Sequence, residues 1–219
     1  GPELPPAERR RIMNLCADAD LEICVVGSDC RFANPDPDER RAQIERGLGF
    51  IELADEWSAP VVRVFGGRHE PDLDPAEVNA WVAEALRELA EPADQLGIQV
   101  AIETHDDFSA GAGARVADVV ERANHLGAAV VWDLGHPYRV GESVEQTWEL
   151  IGPHVAHVHF KDIKRTGQGP TGWESVPAGT GDLPLKQMIE LLANDDYDGF
   201  ISTEWERRVD PVADDPAIA

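Results

Sequence analysis

Short runs rich in Val, Ile and Ala recur along the chain, each followed by a longer amphipathic stretch, and this alternation restricts the fold more than any other feature. The runs are LEICVVGS from Leu21, VVRVFGG from Val61, IQVAIETH from Ile98, AAVVWDLGH from Ala128, VAHVHFKD from Val155 and FISTEWE from Phe200. Apart from the fifth, they are nearly continuous in apolar residues before a polar end, as strands buried on both faces are. Strands of that kind belong to βα units around a parallel sheet. Helices fill the intervals. Ile44, Leu48, Ile51 and Ala54 recur at helical spacing after Pro37, and Asp74-Pro75 supplies an N-cap and a first-turn proline for a helix carrying Val78, Trp81, Val82, Leu86 and Leu89. Pro92 is expected to kink or end that helix. Further helices are read over 6–19, 116–126, 144–151 and 185–192, and Gly97, Gly127 and Gly199 are read as C-cap glycines.

The 219 residues suffice for one barrel or one well-buried domain, with no linker that would divide them. The expectation is a single α/β domain over residues 1–219 with about six parallel strands. A closed parallel barrel takes eight, so six leave two open edges that a homodimer or an exchanged strand would cover. The formal charge of −23 disfavours a nucleic-acid partner, because so negative a surface repels phosphate backbones. Without an apolar span or a leader-like segment, neither a membrane partner nor export is expected, and the reading is cytoplasmic. Cys16, Cys24 and Cys30 lack paired spacing and read as reduced thiols. The chain opens on Gly1-Pro2 rather than Met, so the natural chain is expected to begin earlier.

Polar residues gather where the apolar runs end. Glu103, Asp133, His159 and Glu204 each stand near the end of a different run, about one βα unit apart, and α/β barrels place their chemistry at those strand ends. In HVHFKD, His157, His159 and Lys161 share one face while Val158 and Phe160 take the other. Any one of these carboxylates alone reads equally as a helix N-cap or a solvated strand end. Three converging on one pocket would repel and raise their own pKa values unless a cation joined them. Oxygen donors with one imidazole suit a hard divalent ion, Mn²⁺ foremost, with Mg²⁺, Co²⁺ or Zn²⁺ as alternatives. His157 is read as a neighbour supporting the ligands, and Lys161 either as holding an enolate oxygen or as paired with Asp162. Trp132, Trp173 and Trp205 are candidates to line an apolar wall, and the GTGD stretch from Gly179 lacks the context of a phosphate loop.

Taken together, RVFGG, AIETH, WDLGH, HVHFKD, PAGTGDLPL and YDGFISTEWE resemble the xylose-isomerase-like TIM barrels, the sugar phosphate isomerase/epimerase family that includes ketose 3-epimerases and inosose dehydratases. The resemblance runs from residue 4 to residue 208. It implies a (β/α) barrel lacking the family's first two strands and first helix, with the missing wall absent or supplied by another subunit. It further implies that Glu103, Asp133, His159 and Glu204 hold one divalent metal, the two glutamates doubling as acid and base. His136 falls at the family's substrate-hydroxyl binder and Arg165 at an arginine that ketose epimerases hold against substrate; His105 and Lys161 are further substrate-binding candidates. The family's additional glutamate is Ser109 here, which counts against ketose 3-epimerisation in particular. The implied substrate is a small sugar or keto-polyol. Isomerisation or epimerisation is the first expectation; an inosose-type dehydratase and a partner-dependent, non-catalytic subunit are the alternatives.

Overall fold

The computed structural model describes residues 1–68, 70–105, 112–168 and 171–205. The elements follow in the order α1 (Pro6–Asp18), β1 (Val26–Arg31), α2 (Pro37–Glu56), β2 (Val61–Phe65), α3 (Pro75–Asp94), β3 (Gln99–Glu103), α4 (Ala112–Ala123), β4 (Ala128–Asp133), α5 (Gly135–Arg139), α6 (Val144–Ile151), β5 (Val155–Phe160), β6 (Asp162–Arg165), β7 (Trp173–Val176), α7 (Leu185–Asn194) and β8 (Ile201–Thr203). Six strands form one parallel sheet in the order β1-β2-β3-β4-β5-β8, so every crossover joins neighbours, as in a barrel wall.

Each helix begins for a local reason. Asp36 caps α2 through Asp38 N, and Asp74 caps α3 through Ala76 N, each just before a proline. Ser143 and Gln146 form a reciprocal capping box on α6. The buried residues of α3, among them Val78, Val82, Leu86 and Leu89, share one core with Val100, Ile102 and Val130 of the sheet. The other face of the sheet carries a smaller cluster, Val61, Ala101, Ala129 and Val131. Small side chains there fit the inside of a tight curl. Cys24, just ahead of β1, lies with its Sγ 4.0 Å from Ser202 Oγ on β8, so the two ends of the sheet approach each other around an incomplete barrel.

Several local expectations need correction. The first strand begins at Val26 rather than Leu21. Helix α3 continues through Pro92 to Asp94, so of the two expected effects, a kink or an end, the proline does not end the helix. Gly97 does take a left-handed φ of 72°, but after α4 and α7 the left-handed residues are Asn124 and Asp196 rather than Gly127 and Gly199. At Gly127 the requirement is close packing: a Cβ would lie 2.8 Å from the Ala90 carbonyl oxygen. The antiparallel hairpin β6-β7 and the one-turn helix α5 were not legible from periodicity, being too short for a period to show. Among the described residues, no helix is long and apolar enough to cross a membrane.

Candidate metal centre and its cleft

The parallel register sets the site. Glu103 ends β3, Asp133 ends β4, His159 lies near the end of β5, and Glu204 follows β8, so four strands deliver four side chains to one rim. Donor atoms of Glu103, Asp133, His159 and Glu204 all lie within 4.8 Å of one another. Local bonds lock the pieces. Thr104 Oγ1 donates to the Asp133 carbonyl oxygen (3.0 Å) and accepts from the Asp133 amide (2.9 Å), tying the ends of β3 and β4 together. Asp133 Oδ1 accepts from the Gly135 amide at 2.8 Å, leaving Oδ2 directed at the cluster.

His159 is the informative member. Its buried Nδ1 has no hydrogen-bond partner, yet three carboxylate oxygens surround it: Glu204 at 3.5 Å, Asp133 at 3.8 Å and Glu103 at 3.9 Å. Those gaps are too long for hydrogen bonds. They approach the roughly 3–3.5 Å between neighbouring donors that bonds of about 2.0–2.2 Å to a common ion would impose. The donor set therefore fits a divalent cation.

Charge within the protein partly balances the carboxylates. Lys161, on the His159 side of β5, places Nζ 2.6 Å from Asp133 Oδ2 and 3.0 Å from Glu204 Oε2. Burial opposes its charge, but the Asp133 and Glu204 carboxylates outweigh burial and raise its pKa. The expected alternative, a pair with Asp162, is not formed. Asp162 instead accepts from the amides of Ile163, Gly179, Gly181 and Leu183. The two glycine amides of GTGD are thus spent on a carboxylate, and those of Thr180 and Asp182 donate to the Pro177 and Ile163 carbonyls. Burial alone would raise the Asp133 pKa, yet Lys161 and His136 hold it well below the usual carboxylate range. Glu204 goes the other way, pushed up to about 7 by burial and by the neighbouring Asp133. Burial disfavours charge on His159 as well, and the surrounding carboxylates reverse this and raise its pKa.

The remaining expected residues divide. His136 packs beside the cluster, with Nε2 3.7 Å from Asp133 Oδ2 and 3.3 Å from Lys161 Nζ. The His105 ring stacks on it at 4.0 Å and meets Phe65 edge-on at 5.2 Å. Glu103, His105 and His136 also bring donor atoms within 4.8 Å of one another. His157 lies wholly buried below His159, its ring edge-on at 5.6 Å and its Nε2 2.8 Å from Ser202 Oγ. Arg165 is not in the cluster. It sits on the β6-β7 hairpin, 5.9 Å over the Trp173 ring. Trp132 is not a pocket wall, because it is fully buried against Trp148 on the helix side of the sheet. Ser109 lies outside the described residues.

Two residues escaped sequence reasoning. Arg63 reaches Glu103 Oε2 at 3.4 Å while its guanidinium lies 4.1 Å over Phe65. The signal was present as a single charge inside the apolar run VVRVF. Gly27 makes the room, since a Cβ there would stand 3.0 Å from the Arg63 Nη2. Arg139, three residues after His136 on α5, donates to His136 Nδ1 at 2.7 Å. Nothing in the spacing distinguishes it from an ordinary surface arginine.

Comparison with known proteins agrees with this geometry. The family model described as xylose isomerase-like TIM barrel matches residues 1–218. A protein assigned as a hydroxypyruvate isomerase in Streptomyces coelicolor is 31% identical over 159 residues, covering 68% of this chain and 53% of that protein. Fructoselysine 3-epimerase of Shigella flexneri is 24% identical over 170 residues, covering 75% of this chain and 59% of that protein. The chain thus spans little more than half the length of these two relatives. Among solved structures, the IolI protein with a bound zinc atom shares the fold with a TM-score of 0.73 at 18% identity, over 88% of this chain and 72% of that one.

Proposed function

Because the chain belongs to the xylose isomerase-like TIM barrel family, we propose that it is a divalent-metal-dependent isomerase or epimerase of a sugar or sugar phosphate, acting by proton transfer through an enediolate. One observation carries the proposal: two glutamates, Glu103 at the end of β3 and Glu204 just after β8, stand around the buried, unpartnered Nδ1 of His159 together with Asp133. A divalent ion held by these four residues would supply Lewis-acid polarisation of a carbonyl and its adjacent hydroxyl. The protein residues do the rest. A carbon acid beside a carbonyl gives up its proton only to a base fixed within reach, and Glu103 and Glu204 approach that position from two sides. Transfer on opposite faces of one carbon epimerises, and transfer between neighbouring carbons isomerises. His136, with Nδ1 held by Arg139, turns Nε2 toward the site and is the group to orient a substrate hydroxyl. Lys161, with Nζ 2.6 Å from Asp133 Oδ2, would bring a positive charge to the side of the site where an enediolate oxygen gains negative charge.

The test is a panel of keto-sugars, sugar phosphates and keto-inositols incubated with Mn²⁺-loaded protein in deuterated water and followed by NMR. Solvent deuterium should enter at a carbon next to the carbonyl of at least one member. Loss of water with a rise in ultraviolet absorbance would instead assign the dehydratase chemistry, and the absence of any exchange across the panel would leave the catalytic reading without support.

A further inference from the structure

Two oxygens of the centre are claimed twice. Asp133 Oδ2 and Glu204 Oε2 face His159 Nδ1 at 3.8 and 3.5 Å, as the metal reading of the centre requires, and the same two atoms lie against the Lys161 ammonium at 2.6 and 3.0 Å. The two contacts of Lys161 differ in kind. It donates a hydrogen bond to Glu204 Oε2, whereas Asp133 Oδ2 has no hydrogen-bond partner, so that oxygen is held to Nζ by charge without alignment. The lysine is built into this position. Its stem passes over Gly135, where a Cβ would stand 2.8 Å from Lys161 Cε, and its side chain is only 11% exposed. A buried ammonium needs anionic partners as much as converging carboxylates need a cation.

We propose that Lys161 is the chain's own competitor for the divalent ion: ammonium and ion exchange at Asp133 Oδ2 and Glu204 Oε2, and loading the centre drives Lys161 off both oxygens. The inference rests on the proposed metal centre and adds the side chain that sets how tightly it loads. A dication bonded to those two oxygens would stand beside a like charge with little water between them, and like charges so placed oppose each other far more strongly than on a solvated surface. The ion therefore binds more weakly than its four ligands alone would allow, and the carboxylates keep a counter-charge while no ion is bound. The displaced ammonium stays tethered at the rim beside His136 Nε2, from which it lies 3.3 Å, and there a substrate oxyanion becomes its next partner.

Two measurements test this, both with Zn²⁺, which is diamagnetic, and with His159→Ala as the reference for zinc bound outside the centre. Calorimetry compares the parent chain with Lys161→Met, which keeps the bulk of the stem without its charge. The variant should bind Zn²⁺ at least about tenfold more tightly, and its melting temperature in EDTA should lie below the parent's, because its carboxylates lack a counter-charge. The second measurement needs no variant. Of the three lysines, Lys164 and Lys186 are exposed, so Lys161 alone should give an Nζ ammonium signal protected from water exchange in ¹⁵N NMR, and saturating Zn²⁺ should abolish it. If Lys161→Met does not fold, that signal decides alone. A protected signal that survives saturation, or affinity in a folded Lys161→Met no higher than the parent's, would overturn the proposal while leaving the metal centre in place. Zn²⁺ binding by neither chain would remove the centre itself and the competition with it.

Discussion

At the scale of single residues, the two glutamates are set apart by their neighbours. Glu103 has Arg63 against Oε2, whereas Glu204 is pushed up to about 7 by burial and by Asp133. Glu204→Gln keeps an oxygen for the metal but removes a base, so turnover should fall about 10²–10⁴-fold while metal content falls much less. Deuterium uptake should become one-sided, which NMR of the product reads directly; full activity would exclude Glu204 from proton transfer. The raised pKa values of Glu204 and His159 also fix a pH dependence. Glu204 holds a proton near pH 6 that it has largely lost by pH 8, and the raised pKa of His159 adds a second proton that a cation must displace at the lower pH. Mn²⁺ affinity should therefore rise by about tenfold or more from pH 6 to pH 8, with proton release on binding at the lower pH. Calorimetry in two buffers of different ionisation enthalpy measures both, and an affinity flat across that interval would show that these groups are not displaced.

At the scale of elements, the loop after the hairpin depends on one carboxylate. Asp162 accepts four backbone amides, three of them from Gly179, Gly181 and Leu183, and a Cβ at Gly181 would meet its Oδ1. Asp162→Ala leaves those buried donors unmatched and should cost about 3 kcal/mol in urea unfolding, with lost exchange protection at the Gly179 and Gly181 amides. Retained protection would mean the loop folds without it. The sequence announced the strands that carry Glu103, Asp133 and His159 because apolar runs buried on both faces leave little ambiguity. It placed the first strand too early, because LEIC is apolar enough to pass for the strand that VGSDCR forms. Asp162 and Lys161 could not be paired correctly from order alone. Their partners, at Gly179 to Leu183 and at Asp133 and Glu204, are fixed by the hairpin and by the curl of the sheet. Arg63 and Arg139 were missed for the same reason: their roles come from what the fold sets opposite them.

At the scale of the whole molecule, β1 and β8 each have a strand neighbour on one side only among the described residues, and Leu21, Phe200 and Ile201 are exposed nearby. Unpaired edges with apolar neighbours favour association, so light scattering should find a dimer that dissociates on dilution; a monomer at every concentration would remove that expectation. Because the candidate metal residues stand on or just after four different strands, ion binding should stabilise the entire sheet. The melting temperature should rise with added Mn²⁺ and fall with EDTA. The central claim is that Glu103, Asp133, His159 and Glu204 together hold one divalent ion, and its most direct test is the stoichiometry of Mn²⁺ binding to the intact chain and to His159→Ala. The account predicts one ion per chain, with affinity reduced by two or more orders of magnitude in His159→Ala while its circular dichroism is unchanged. Undiminished binding by a folded His159→Ala, or no Mn²⁺ binding by the parent chain at pH 8, would contradict it.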